Sequence, residues 1–284
     1  MNNLWHGSLV VVVASFLGAG VATSGVFLLV YFLPDNSNGN VPPAYCNVVR
    51  VPVYGEVVTI RPGTSEPAIS EDDATTPRIV DTTYTVSTEI EETLRSAKGD
   101  ESIKALLIDV DSYGGSPVGA IEIATAIRRF GRPTAAVIHG VGASAGYLIA
   151  TAADTIFASE ESNVGSIGVT GSYTDQSEKN RKEGITFHQL SSGPYKDTYS
   201  PDKPLTEAER GLIMSHIQTS HDNFVRIVAG YRQLSIEKVA TLADGSTLMG
   251  RVALEAGLID QLGGTEEALQ YLEQAIGESA TVCK

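Results

Sequence analysis

Gly142, Ala143, Ser144, Ala145 and Gly146 form a G-x-S-x-G pattern between the strand-like run TAAVIH (Thr134 to His139) and a short helical run from about Ala145 to Ala152. With 28 glycines in 284 residues, the bare pattern arises by chance in roughly one such chain in four or five, so its meaning comes from the strand-turn-helix context. A serine held there faces the N-terminal end of a helix, where backbone N–H groups and the dipole favour the alkoxide needed for nucleophilic attack. The plain alternative is a serine that caps the helix or allows close packing.

A nucleophilic serine needs a base. The five histidines are His6, His139, His188, His216 and His221. An α/β-hydrolase triad runs Ser, acid, then a late His, and no histidine follows His221, which disfavours an esterase of that type. Lys196, in SSGPYKDTYSP (Ser191 to Pro201), is the better candidate. A lysine works as a general base only when neutral, which requires its pKa to fall about three units from 10.4 and therefore a desolvated site. On an extended segment the neighbouring Asp197 would point to the opposite face. A third element is DSYGGS (Asp111 to Ser116), where a strand ends in two glycines and the main chain can bring an N–H close to a developing oxyanion.

The elements that must hold these groups follow a regular order. A helix from Ser87 to about Ala97 precedes the strand KALLIDVD (Lys104 to Asp111), and the helix PVGAIEIATAIRRF (Pro117 to Phe130) precedes the strand of Thr134 to His139. The strand TIFA (Thr155 to Ala158) follows the short helix. Ala120, Ile123, Ile127 and Phe130 recur at helical spacing and mark one buried face. Short apolar strands alternating with helices predict an α/β body with a buried sheet. A long helix is expected from Thr206, its N-cap, with Ile213, Ile217, Phe224 and Val228 as its stripe. NVVRVPVYGEVVTI (Asn47 to Ile60) reads as a strand pair turning at Gly55.

After the leader 1–7, Ser8 to Leu33 holds 26 residues without a charge, where about 20 suffice to span a bilayer. The leader carries no Lys or Arg, so a retained transmembrane helix fits better than a cleaved signal peptide. Residues 34–46 form a polar linker, and a flexible acidic insert is expected over about 61–80. The body spans 47–270, followed by a tail at 271–284. A formal charge of −14 excludes a basic phosphate-binding face and so argues against a nucleic-acid partner. Cys46 and Cys283 lack zinc spacing, and no metal or other cofactor is called for. They form either one disulfide joining the ends of the body or two free thiols.

Taken together, these segments resemble the signal peptide peptidase family. VVRVPVYGEV is similar to its opening strand, LLIDVDSYGGS to a strand followed by Ser-Pro-Gly-Gly, and GASAGYLIATAADTIFA to Ala-Ser-Gly-Gly-Tyr and its continuation. NVGSIGV (Asn163 to Val169), SGPYKDTYSP and ADGSTLMGRVALEAGLIDQLGG (Ala243 to Gly264) complete the match over roughly residues 47 to 270. The resemblance implies the ββα superhelix of the Clp protease and crotonase group. It implies Ser144 as nucleophile, Lys196 as base 52 positions later, Ser166 as the group orienting the lysine amine, and Gly115 with the Ala145 amide as the oxyanion hole. Tyr113 stands where the family has proline and Ala145 where it has glycine, both beside the oxyanion region.

The expectation is a membrane-anchored serine endopeptidase that cleaves apolar peptides, such as residual signal peptides or membrane-protein fragments, through an acyl-enzyme. It would be single-pass in the cell membrane with an extracytoplasmic peptidase domain, and a homo-oligomer. The competing reading is a catalytically silent membrane scaffold of the same fold, which has no reason to carry both Ser144 and Lys196.

Overall fold

A computed structural model describes residues 10–12, 29–31, 46–62 and 84–283 and divides into two compact units, Met1–Tyr45 and Cys46–Lys284. In the first, β1 (Val10–Val12) pairs antiparallel with β2 (Leu29–Tyr31). At these six positions the chain is strand and not the expected helix, a state that β-branched runs favour. The remainder of the transmembrane helix expected over 8–33 lies outside the described residues, as do nearly all of the linker 34–46 and most of the acidic stretch 61–80. Among the described residues no helix is long and apolar enough to cross a membrane.

The second unit begins with β3 (Val48–Val58), β4 (Tyr84–Val86), α1 (Ser87–Gly99), β5 (Ala105–Gly115), α2 (Pro117–Arg128), β6 (Thr134–Ala143) and α3 (Ala145–Ala150). It continues through β7 (Thr155–Ala158), β8 (Asn163–Gly165), α4 (Ser177–Lys182), α5 (Glu207–Arg232) and α6 (Ile236–Leu242). It ends with β9 (Thr247–Met249), α7 (Gly250–Ala256), β10 (Gln261–Leu262) and α8 (Thr265–Ile276). The main sheet runs β10-β7-β6-β5-β3-β4 with every pairing parallel. β8 joins the upper end of β6 in parallel, and β9 pairs antiparallel with β8. The α/β body with a buried sheet is therefore present.

β5 shows why its sequence is a continuous apolar run. Leu106, Ile108 and Val110 pack into one core with residues of α1, α2, α3 and α5, while Ala105 and Leu107 pack on the other face with Ala268 and Leu272 of α8. A strand covered on both faces has no polar side to alternate with. α2 is capped by Ser116, whose Oγ accepts from Gly119 N, with Pro117 at its first position, where a missing N–H costs nothing.

Two expectations need correction. Asn47 to Ile60 is not a hairpin: β3 is a single strand, and both halves pair with β5 across a register shift at Gly55, whose φ is 64°. The YGE triplet lacks the polar two-residue turn that closes a hairpin, and one partner strand takes the valines on both sides. In α5 the Thr206–Glu209 capping box is present, but of the expected stripe only Phe224 and Val228 are buried. Ile213 and Ile217 remain partly exposed, so the first half of the helix stands off the core.

The ends of the unit are joined. Cys46 and Cys283 form a disulfide across 237 positions. The buried Asn47 donates to Glu278 Oε1 and Ser279 O and accepts from Thr281 N, each at 2.8–3.0 Å, and Val282 bridges to Val48. Residues 271–283 thus carry the second half of α8 and a run clasped to the start of β3.

Candidate active site

Ser144 occupies the junction of β6 and α3 with φ 51° and ψ −121°, a left-handed backbone that non-glycine residues rarely adopt and that costs of order 1–3 kcal/mol. Its side chain makes no cap hydrogen bond to α3. The helix-cap alternative is thereby removed, and Ser144 as a residue is half-buried. The glycines of the motif have packing reasons. A Cβ on Gly146 would lie 2.8 Å from Ser112 O, and one on Gly142 would lie 2.9 Å from the Ile138 side chain. The turn is held from above because Ser144 N donates to Gly165 O at 2.8 Å.

The Gly-Gly turn after β5 reaches this junction, but its two glycines do different things. Gly114 (φ 112°) faces Ser144: a Cβ there would be 2.9 Å from both the Ser144 Cβ and the Ala145 N. Gly115 (φ 147°) packs against β3, where a Cβ would lie 2.3 Å from Val57 O. Adjacent glycines carry no mark in the sequence of which one lies closer to Ser144, and here it is Gly114. The structure thus gathers Ser144, Ala145, Gly114 and Gly115 at the C-terminal ends of the central strands β5 and β6.

Ser166 lies one residue beyond β8 with φ 50°. Its N donates to Ser246 O at 2.8 Å and its Oγ to Gly245 O at 2.9 Å. The hydroxyl is therefore tied to the loop before β9, and no hydrogen bond joins it to Lys196 among the described residues.

Lys196 is exposed and lies in a turn over Pro194–Tyr199, its N donating to Gly193 O at 3.3 Å. The extended segment expected there is corrected to this turn, which Gly193 and Pro194 favour. The Asp197 carboxylate accepts from the Ser191 hydroxyl, and no ion pair joins it to Lys196 among the described residues. Residues 195–200 and α5 border an open groove of about 410 Å³ lined by Tyr195, Lys196, Leu212, Ile213 and His216. No residue of the Ser144 turn lines it. Within a single chain Lys196 and Ser144 are not hydrogen-bonded to each other among the described residues.

His139 is engaged elsewhere. Its Nε2 meets Asp109 Oδ1, and Arg50 Nε (2.6 Å) and Tyr54 OH (2.5 Å) donate to Asp109 Oδ2. Burial pushes the Asp109 carboxyl up, but the Tyr54 hydroxyl, His139 and Arg50 outweigh it and leave the group below the usual carboxylate range. The Tyr54 hydroxyl is raised, first by burial and then by its bond to that anion. This network lies on the sheet face also covered by α8, and the sequence offered no sign of it.

Residues 126–278 match the family model described as Peptidase family S49. The chain is 36% identical over 184 residues to an Enterococcus faecium protein named "Putative signal peptide peptidase SppA", covering 64% of this chain and 54% of that one. It is 31% identical over 188 residues to Protease 4 of Haemophilus influenzae, covering 65% of this chain and 30% of that one. A solved ClpP1 mutant from Listeria monocytogenes aligns over 77% of this chain and 93% of that chain at 15% identity with a TM-score of 0.49. The chain spans about half the length of the first of these relatives and less of the second. With more than half of its residues matched by the family model, and the match running from the end of α2 through α8, the chain belongs to peptidase family S49.

Proposed function

We propose that this chain is a serine endopeptidase of the Clp protease and crotonase type of fold, anchored to the membrane by Ser8–Leu33, that cleaves apolar peptides such as residual signal peptides. The observation that carries the reading is Ser144 in its strained strand-helix turn with a hydroxyl that the helix does not use as a cap. In the proposed reaction the Lys196 amine takes the proton of Ser144 Oγ as that oxygen adds to the scissile carbonyl. The oxyanion accepts from the amides of Ala145 and Gly115, the amine departs with the proton, and water hydrolyses the acyl-serine. Ser166 orients the lysine.

Lys196 must leave water to act as a base, and in one chain it is exposed. The segment around it supports burial by a second copy: Ile185, Leu190 and Tyr199 are 54%, 95% and 61% exposed, an apolar display that a solitary chain rarely keeps. A closed homo-oligomer packed through this segment and the first half of α5 fits that display. The Cys46–Cys283 disulfide supports an extracytoplasmic, oxidising setting for the body.

The second reading, a silent scaffold, draws on the lack of a hydrogen bond between Lys196 and Ser144 among the described residues. A fluorophosphonate probe on the full chain in detergent discriminates the two. Labelling mapped to Ser144, together with peptide hydrolysis lost in Ser144→Ala, supports the peptidase; an unlabelled chain without hydrolysis supports the scaffold.

A further inference from the structure

β5 and β6 run in step from Leu106↔Thr134 to Val110↔Ile138, and then the ladder breaks. The next pair is Ser112↔Gly142, so β5 has advanced two residues while β6 has advanced four. The strand that delivers Ser144 therefore carries two extra residues immediately before the nucleophile, and there the β5 main chain no longer supplies a regular partner. A bulge of this kind re-aims the end of a strand, but it leaves polar main-chain groups to be satisfied by something else.

Asp111 supplies the missing acceptor. Its Oδ1 takes the N–H of Val141 at 3.0 Å, in the middle of the bulge. Gly140 is shaped to the same carboxylate: a Cβ at 140 would stand 3.2 Å from Asp111 Oδ1, so a larger residue would press on the accepting atom. The neighbouring Ser112 continues the arrangement across the sheet. Its Oγ donates to Gly55 O at 2.5 Å and accepts from Gly114 N at 3.1 Å. Asp111 thus holds the nucleophile strand and Ser112 holds the glycine turn, from adjacent positions on β5. Gly114 has to sit against the Ser144 Cβ and the Ala145 N, so the offset between these two strand ends sets the distance between nucleophile and turn.

We propose that Asp111 is a positioning residue for Ser144: by accepting the Val141 N–H it fixes the β6 bulge and with it the placement of Ser144 Oγ against the Gly114–Gly115 turn. This rests on the reading of Ser144 as the nucleophile. Asp111 is exposed and packs in neither core cluster, so its effect falls on geometry more than on stability. A displacement of about 1 Å at reacting atoms costs on the order of a hundredfold in rate, and a loosened bulge is expected to cost about tenfold or more.

The test compares Asp111→Asn, Asp111→Ala, Gly140→Ala and the Asp111→Ala/Gly140→Ala pair in the full chain, by hydrolysis of an apolar fluorogenic peptide and by the rate of fluorophosphonate labelling at Ser144. Asp111→Asn keeps an oxygen in place and retains turnover within about threefold, whereas Asp111→Ala loses about tenfold or more in kcat and in labelling rate at an unchanged KM. Gly140→Ala lowers both as well, but adds nothing in the Asp111→Ala background, because it acts through the carboxylate. Wild-type labelling in Asp111→Ala, equal damage from Asp111→Asn, or additive losses in the pair would overturn the proposal. If Asp111→Ala does not fold, Gly140→Ala decides alone, and wild-type turnover in it overturns the proposal. Ser144→Ala separates the two ideas: full turnover in that variant removes the nucleophile, while its inactivity beside a normal Asp111→Ala removes only the positioning role.

Discussion

Gly114 and Ser144 sit so close that a side chain on the first would meet the second, with 2.9 Å between the added Cβ and that of the serine. The φ of 112° at Gly114 adds backbone strain to any substitution. Gly114→Ala is therefore expected to abolish labelling of Ser144, because the turn or the serine must shift. Gly115→Ala meets main chain at 2.3 Å between β3 and β5 and is expected to lower the thermal midpoint further than Gly114→Ala. Melting curves and labelling of both variants check this, and wild-type labelling of Gly114→Ala would refute it.

Ser144→Ala and Lys196→Ala are each expected to remove peptide hydrolysis with unchanged circular dichroism, and the double variant to lose no more than either single one, since nucleophile and base act as a unit. Ser166→Ala should cost less than Lys196→Ala, because in the proposed reaction it removes only an orienting group. His139→Ala should leave the chemistry in place, as its ring is taken up by Asp109. More than about a tenth of wild-type activity in Lys196→Ala would remove the lysine as base and return attention to the histidines.

What was legible in the sequence had local causes. β5 could be read from its run of apolar residues, α2 from its three- and four-residue stripe, and Ser144 from a motif whose strand and helix lie within a few residues of it. The Asp109 network was hidden because its partners are 59, 55 and 30 positions away, and only strand register brings Arg50, Tyr54 and His139 beside one carboxylate. The hairpin at Gly55 was misread because a bulge and a turn both ask for a glycine of positive φ. The choice between Gly114 and Gly115 depends on which way a two-residue turn faces, a three-dimensional property that two identical letters do not encode.

Glu209 closes the capping box of α5 while 2% exposed, accepting from Lys203 Nζ at 2.6 Å and from Thr206 N and Oγ at 2.9 Å. The Lys203 ammonium, followed by the Thr206 amide, holds its carboxyl down at about 2. Its folded pKa lies below the unfolded value near 4.3. The stabilisation is therefore complete above about pH 5 and is lost as pH falls toward 2. The gap in thermal midpoint between wild type and Glu209→Gln should be widest near neutrality and narrow steadily from pH 5 to pH 2. A gap independent of pH would mean that the carboxylate charge is not what anchors this end of the helix.

The Cys46–Cys283 disulfide closes a loop of 237 positions, and cross-links in long loops contribute about 2–4 kcal/mol, mainly by restricting the unfolded chain. Cys46→Ser/Cys283→Ser should lower the thermal midpoint by several degrees for a domain of this size. Activity at 25 °C should be retained. The clasp lies at the start of β3, whereas Ser144 follows the last residue of the ten-residue β6, about 30 Å further along parallel strands. Equal melting of the two forms, or loss of turnover without loss of stability, would contradict this account.

The remaining prediction concerns Lys196 and assembly. In one chain the lysine is exposed in a turn, its neighbours Leu190 and Tyr199 are more than half exposed, and the first half of α5 stands off the core. A base that is neutral near pH 7 needs the opposite surroundings, and packing of a second copy on this segment supplies them. Specific activity of the full chain in detergent should therefore depend on protein concentration, falling on dilution in step with the oligomer measured by light scattering. Leu190→Asp should give a chain that folds but neither assembles nor hydrolyses peptide, because it places a charge on the apolar display while leaving Ser144 and Lys196 intact. A fully active monomer would separate catalysis from assembly and would require Lys196 to reach a desolvated position within its own chain.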